Sequence, residues 1–255
     1  LLKILPEEDI VDFGDTGRGP YGTRSAEIVT QYAMQDISFL LSKDVKLVIA
    51  ACGTVTTTLP EELTGRFWFP YTGVLKPTVR TALAATRNRK IGVIATATTI
   101  RTGAYERELK RLCPEAEVIS GACPRFVPRV ETGYVDRQNP VTRMVAEEYL
   151  APIRAAGVDT LILGCTHYPV IAPILADVMG EGVTLVDSGK AAADYARSML
   201  AEAGLLTGRK SRGSCSYYVS DAPDDFARNA SIFLGERFGG EVGRIEITNY
   251  PDTIV

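Results

Sequence analysis

Val158-Asp159-Thr160-Leu161-Ile162-Leu163-Gly164-Cys165-Thr166-His167-Tyr168-Pro169 carries the single histidine of the chain, two positions after a cysteine. The apolar run 160–163 reads as a buried strand, and the Gly-Cys-Thr-His that follows reads as the loop at its C-terminal end. The same form occurs 113 positions earlier, where Val45-Lys46-Leu47-Val48-Ile49-Ala50-Ala51-Cys52-Gly53-Thr54 aligns on it without gaps. Each segment is an apolar strand, a small residue and then a cysteine. Ligands of α/β folds bind at the C-terminal ends of parallel strands. Two strand-end cysteines in two half-chains therefore predict one thiol on each side of a shared cleft.

Working outward, strand-like runs at 9–13, 45–50, 90–95, 118–120, 160–163, 183–186 and 216–220 alternate with helical spacing at 24–42, 77–87, 101–112, 140–156, 170–179, 190–203 and 223–234. Repeated β-loop-α units build parallel sheets with helices on both faces. With the repeated cysteine segment, they predict an α/β protein of two pseudo-symmetric, doubly wound domains with mainly parallel sheets, and an active site in the interdomain cleft. Residues 1–75 and 187–255 are expected to form a discontinuous first domain, and residues 76–186 the second. Leu1-Leu2-Lys3-Ile4-Leu5-Pro6 reads as the end of a helix already under way, so further residues are expected upstream.

The chain has 255 residues, 45% hydrophobic and 23% charged, which fits an ordinary soluble protein of one large or two small domains. A net charge of −3 offers no footprint for nucleic acid, and no apolar run approaches a membrane span. The five cysteines (Cys52, Cys113, Cys123, Cys165 and Cys215) are odd in number, widely spaced and without a CxxC pair. That argues against a disulfide framework or structural zinc and fits a reducing cytoplasm. A lone histidine leaves no pair to hold a catalytic metal.

A cysteine reacts as the thiolate, and a free thiol has a pKa of about 8.5. It needs a helix N-terminus, a positive neighbour or a base. Cys52 and Cys165 each occupy a position that can open a helix, and His167 can relay a proton for one of them. Nothing helpful surrounds Cys113, Cys123 and Cys215, which read as small buried hydrophobes. Threonines follow each strand end: Thr54 with Thr56, Thr57 and Thr58; Thr96 with Thr98 and Thr99; and Thr166. Their hydroxyls can hold a carboxylate or cap a helix, and both readings stay open. Asp15-Thr16 with Pro20-Tyr21-Gly22 lies in a glycine-rich loop, a source of backbone donors or a solvated turn.

At Ala51-Cys52-Gly53-Thr54 and Gly164-Cys165-Thr166-His167-Tyr168-Pro169 the chain resembles the glutamate racemases of the aspartate/glutamate racemase superfamily. Asp15-Thr16, Pro20-Tyr21-Gly22, Thr96 to Thr99, Cys123-Pro124 with Val127 to Glu131, and Tyr218 to Asp221 extend the resemblance over nearly the whole chain. It implies racemisation of glutamate without cofactor or metal. Cys52 and Cys165 would act on opposite faces of the α-carbon, with His167 and Glu131 assisting on the Cys165 side. It also implies substrate contacts at Pro20, Tyr21, Gly22, Gly53, Thr54, Thr96, Thr99 and Thr166, a homodimer, and D-glutamate supplied for peptidoglycan. The family usually has Asn where this chain has Gly53, and it begins with a strand and a DSGxGG loop expected upstream of Leu1. A racemase of another amino acid, such as aspartate, is the alternative; His167 argues against aspartate, because similar aspartate racemases tend to carry Glu there. A hydrolase using Cys165 and His167 leaves Cys52 without a role, and neighbours at i and i+2 pair poorly as nucleophile and base.

Overall fold

The computed structural model describes residues 1–235, 238–239 and 241–254. Its strands and α-helices run β1 (Ile10–Gly14), α1 (Ala26–Leu41), β2 (Val48–Ala50), α2 (Gly53–Thr58), α3 (Glu61–Thr64), β3 (Tyr71–Gly73), α4 (Leu75–Ala85), β4 (Lys90–Ala95), α5 (Ala97–Thr102), α6 (Ala104–Leu112), β5 (Glu117–Ala122), α7 (Phe126–Glu131), α8 (Pro140–Ala155), β6 (Thr160–Leu163), α9 (Ala172–Met179), β7 (Thr184–Asp187), α10 (Ser188–Glu202), β8 (Cys215–Val219), α11 (Pro223–Leu234) and β9 (Val242–Arg244). The alternation is that of an α/β protein with parallel sheets. Two compact units share the chain. The first comprises Leu1–Ala50, Thr58–Thr72 and Ala193–Val255; the second comprises Ala51–Thr57 and Gly73–Ala192. Residues 51–57, which the sequence reading placed in the first domain, thus group with the second unit.

The second unit is built on a parallel sheet of order β5-β4-β6-β7. After their first residues, Lys90 and Thr160, β4 and β6 are apolar without interruption because both of their faces are covered. Side chains that alternate along them sort into two cores. Ile94, Leu161 and Leu163 face α8 and α9, with Leu150, Ile153, Ile174 and Leu175. Ile91, Val93 and Ile162 face α4 and α6, with Val79, Tyr105 and Leu109. Gly92 lets α8 come down onto the sheet, since a Cβ there would lie 2.7 Å from Ile153 Cγ2. Asn139 starts α8, accepting a hydrogen bond from the Thr142 amide at 3.0 Å, with Pro140 in the first turn.

In the first unit β1 pairs in parallel with β8 from Ile10–Cys215 to Gly14–Val219, and β8 with β9. Sequence positions some two hundred apart thus meet in one sheet. Phe39 of α1 packs on it, its ring centroid 5.0 Å from that of Phe13 and 5.3 Å from that of Tyr218. Sequence spacing missed β3 and β9, both three residues long, and α7, which carries Pro128 within six residues. It also read one helix over 101–112, where the chain breaks at Gly103 into α5 and α6.

Candidate active site

From β4 the connections run to β5 on one side and, by way of β5, to β6 and β7 on the other. The carboxyl ends of β4 and β6 therefore flank the point where the winding reverses, the usual ligand crevice of an open α/β sheet. After β4, Thr96 caps α5 and Thr98 and Thr99 lie in its first turn; the loop after β6 presents Gly164, Cys165, Thr166 and His167.

Cys165 is buried, 7% exposed. His167 Nδ1 lies 3.8 Å from its Sγ and 3.5 Å from Thr166 Oγ1. On the far side of the ring, Nε2 is 3.0 Å from Glu131 Oε1. A carboxylate there favours the proton on Nε2, which leaves Nδ1 as an acceptor for the Cys165 S–H. Glu131 comes from the last residue of α7, which is pinned to the His167 loop. Tyr168 Oη donates to the Cys123 carbonyl at 2.9 Å, and the Phe126 and Tyr168 rings meet edge-on at 5.3 Å. Burial pushes the Cys165 thiol up to about 12. The Glu131 carboxylate, and Cys52 whenever it is a thiolate, act in the same sense, while the His167 amide and the Thr166 hydroxyl oppose them. Cys165 therefore holds its proton at neutral pH.

Cys52 is exposed and sits immediately before α2, its carbonyl accepting from the Thr56 amide at 3.0 Å. That is the helix N-terminus expected of it. Cys165 departs from expectation: a 3-10 turn over Tyr168–Ile171 follows it, and α9 begins only at Ala172. The two thiol loops touch at backbone level, where Gly53 rests against the Gly164 carbonyl. Next to that contact Thr54 Oγ1 is 3.5 Å from Thr96 Oγ1, which donates to Thr99 Oγ1 at 3.1 Å. Thr96 also caps α5 by accepting from the Thr99 amide at 3.4 Å, so both readings of this threonine hold at once.

The second unit thus brings together Cys52, Gly53, Thr54, Thr96, Thr99, Glu131, Cys165, Thr166 and His167. Pro20, Tyr21 and Gly22 lie in the first unit, where Tyr21 opens a 3-10 turn. Here the structure adds a cluster that sequence reasoning overlooked. Arg18 donates to Asp15 and Asp36, both at 2.7 Å, and to Gln35 at 2.5 Å, and it lies 4.1 Å over the Tyr32 ring. Tyr21 Oη donates to Asp15 and is 3.0 Å from Asp36 Oδ2. Burial first, then the Asp15 charge, pushes the Asp36 carboxyl up to about 7 against the pull of Arg18 and Tyr21. The available signal was Asp36 itself, a carboxylate set among the apolar positions of α1. Of the three cysteines assigned to packing, Cys123 is buried, while Cys113 and Cys215 are half-buried.

The fold and the site have counterparts among known proteins. The profile of the Asp/Glu/Hydantoin racemase family matches residues 5–196, and the chain belongs to that family. Its relatives make it an amino-acid racemase, an isomerase. It is 44% identical over 239 residues to the glutamate racemase of Geobacter metallireducens, covering 94% of this chain and 88% of that one. It is 41% identical over 247 residues to that of Syntrophus aciditrophicus, covering 97% and 90%. Among solved structures it is similar to glutamate racemase RacE1 of Bacillus anthracis, with TM-score 0.90, 30% identity, and 96% and 90% of the two chains covered. It is also similar to the glutamate racemase of Francisella tularensis in complex with D-glutamate, with TM-score 0.88, 32% identity, and 98% and 92% covered.

Proposed function

We propose that this chain interconverts L- and D-glutamate without a cofactor, using Cys52 and Cys165 as an acid–base pair on opposite faces of the α-carbon. The observation that carries the reading is the Glu131–His167–Cys165 chain of contacts, set beside the loop that bears Cys52. One sulfur, as thiolate, takes the α-proton. The electron pair left on carbon delocalises into the adjacent carboxylate, and the other sulfur returns a proton to the opposite face. The thiols have then exchanged roles, and the reverse reaction starts from the other one. Cys165, held protonated by burial, is the donor in the resting state. His167 accepts its proton when Cys165 must act as the base, and Glu131 positions His167. The hydroxyls of Thr54, Thr96, Thr99 and Thr166 and the Gly53 backbone offer donors for the substrate carboxylates. The product serves peptidoglycan synthesis in the cytoplasm, and the working form is a homodimer.

The test is α-proton exchange in D₂O followed by proton NMR, with both enantiomers of glutamate and of aspartate. Exchange with inversion on glutamate alone is the expected result. Exchange on aspartate would make it a racemase of different specificity, and a folded protein inert to all four would sink the two-thiol reading.

A further inference from the structure

We propose that Gly53 is a positioning residue: lacking a Cβ, it lets the Cys52 loop lie directly on the Gly164 carbonyl, and this contact sets the spacing of the two thiols. The catalytic consequence rests on the racemase reading; the contact does not. A Cβ at position 53 would lie 2.7 Å from Gly164 O and 3.6 Å from Thr99 Oγ1, the first closer than real Cβ atoms come to any neighbour. The carbonyl side cannot yield. Gly164 donates to the Ile94 carbonyl at 2.8 Å, and its own Cα is packed so closely that a Cβ there would meet Ile94 O at 3.0 Å.

The other side lies nearer solvent: Ala51 and Cys52 are exposed, whereas Gly164 is buried. Among the contacts of the Cys52 loop are Thr57 Oγ1 on the Gly53 carbonyl at 2.9 Å, the Thr56 amide and hydroxyl on the Cys52 carbonyl, both at 3.0 Å, and the Thr54–Thr96 contact at 3.5 Å. An added methyl would therefore move the Cys52 loop, by about 0.7 Å, before the 2.7 Å approach became an ordinary contact. Misplacing a reacting group by about 1 Å costs on the order of a hundredfold in rate. Asn, usual in the family at this place, is for the same reason harmful in this chain rather than restorative.

The experiment compares the full-length wild type with Gly53→Ala and Gly53→Asn. The first readout is kcat and KM on glutamate. The second is the rate at which propane-1,3-diyl bis(methanethiosulfonate), a linker long enough to span a substrate-sized gap, bridges Cys52 to Cys165, forming two disulfides and releasing two molecules of methanesulfinic acid, with peptide mapping to identify the bridged pair. For Gly53→Ala we expect kcat to fall about tenfold with KM changed less than about threefold, and bridging to slow. For Gly53→Asn we expect larger losses. A folded Gly53→Ala with wild-type kcat and wild-type bridging overturns the proposal. If neither variant folds, the wild type decides: a bridge between Cys52 and Cys165 supports the contact, and its absence overturns it. If no version acts on glutamate but bridging is impaired in Gly53→Ala, the spacing role stands and the racemase reading falls.

Discussion

Replacing Glu131 by alanine tests the assistance given to Cys165. Its carboxylate lies 3.0 Å from His167 Nε2, with Glu131 46% and His167 23% exposed. A sheltered charge-assisted hydrogen bond contributes about 1.5–3 kcal/mol, and a surface ion pair about 0.2–1 kcal/mol. A half-exposed pair lies between them, at about 1.4 kcal/mol, or tenfold in the preference for the Nε2–H tautomer. Glu131→Ala should therefore lower kcat/KM about tenfold. Enantiomers have equal free energy, so kcat/KM must fall by the same factor in both directions. The asymmetry appears instead in the isotope effect of α-deuterated substrate. It should rise for the enantiomer deprotonated by Cys165 and stay put for the other. Glu131→Gln keeps an acceptor without the charge and should fall between wild type and alanine. Circular dichroism of the glutamate solution follows both directions. Wild-type kcat/KM in Glu131→Ala would refute the relay; equal rises in both isotope effects would show a general disturbance of the site instead.

Cys52→Ser and Cys165→Ser should each lower racemisation by at least about a thousandfold in a folded protein, because a serine hydroxyl is far too weak an acid to exchange roles with a thiol. A nearly silent Cys52→Ser in the polarimetric assay would favour hydrolase chemistry. Burial pushes the Cys123 thiol up to about 12, so the stability from keeping it neutral is full below the unfolded value, near 9, and is lost as pH rises toward 12. Urea unfolding of Cys123→Ala across that window should show a shallower loss, by up to about 1.4 kcal/mol per pH unit; parallel curves would contradict it. Asp36 is likewise raised, from 3.8 to about 7, so its neutral form stabilises fully below pH 4 and progressively less up to pH 7. Asp36→Asn should gain stability relative to wild type over that interval, and a constant difference would count against a raised Asp36 carboxyl.

Much of this was legible along the chain. The uninterrupted apolar runs of β4 and β6 marked strands covered on both faces, and the Cys-Thr-His after β6 marked the strand end that carries chemistry. Legibility failed for short elements. β3 has three residues, too few for any period to show, and α7 hides behind Pro128. It failed too for the Arg18–Asp15–Tyr21–Asp36 cluster, because a carboxylate in a helical pattern reads as a solvated face until its partners are known.

The sequence by itself determined the alternation of strands and helices and the placing of a thiol after each of two strands. Those are local matters of periodicity, turn residues and spacing. Only the tertiary structure decided that residues 51–57 group with the second unit, that β4 and β6 are neighbours, and that Glu131 reaches His167 from 36 positions away. It alone brought Gly53 onto the Gly164 carbonyl. Such contacts follow from strand order and register, which are set by burying whole faces of sheet and helix at once, and no local pattern carries that information.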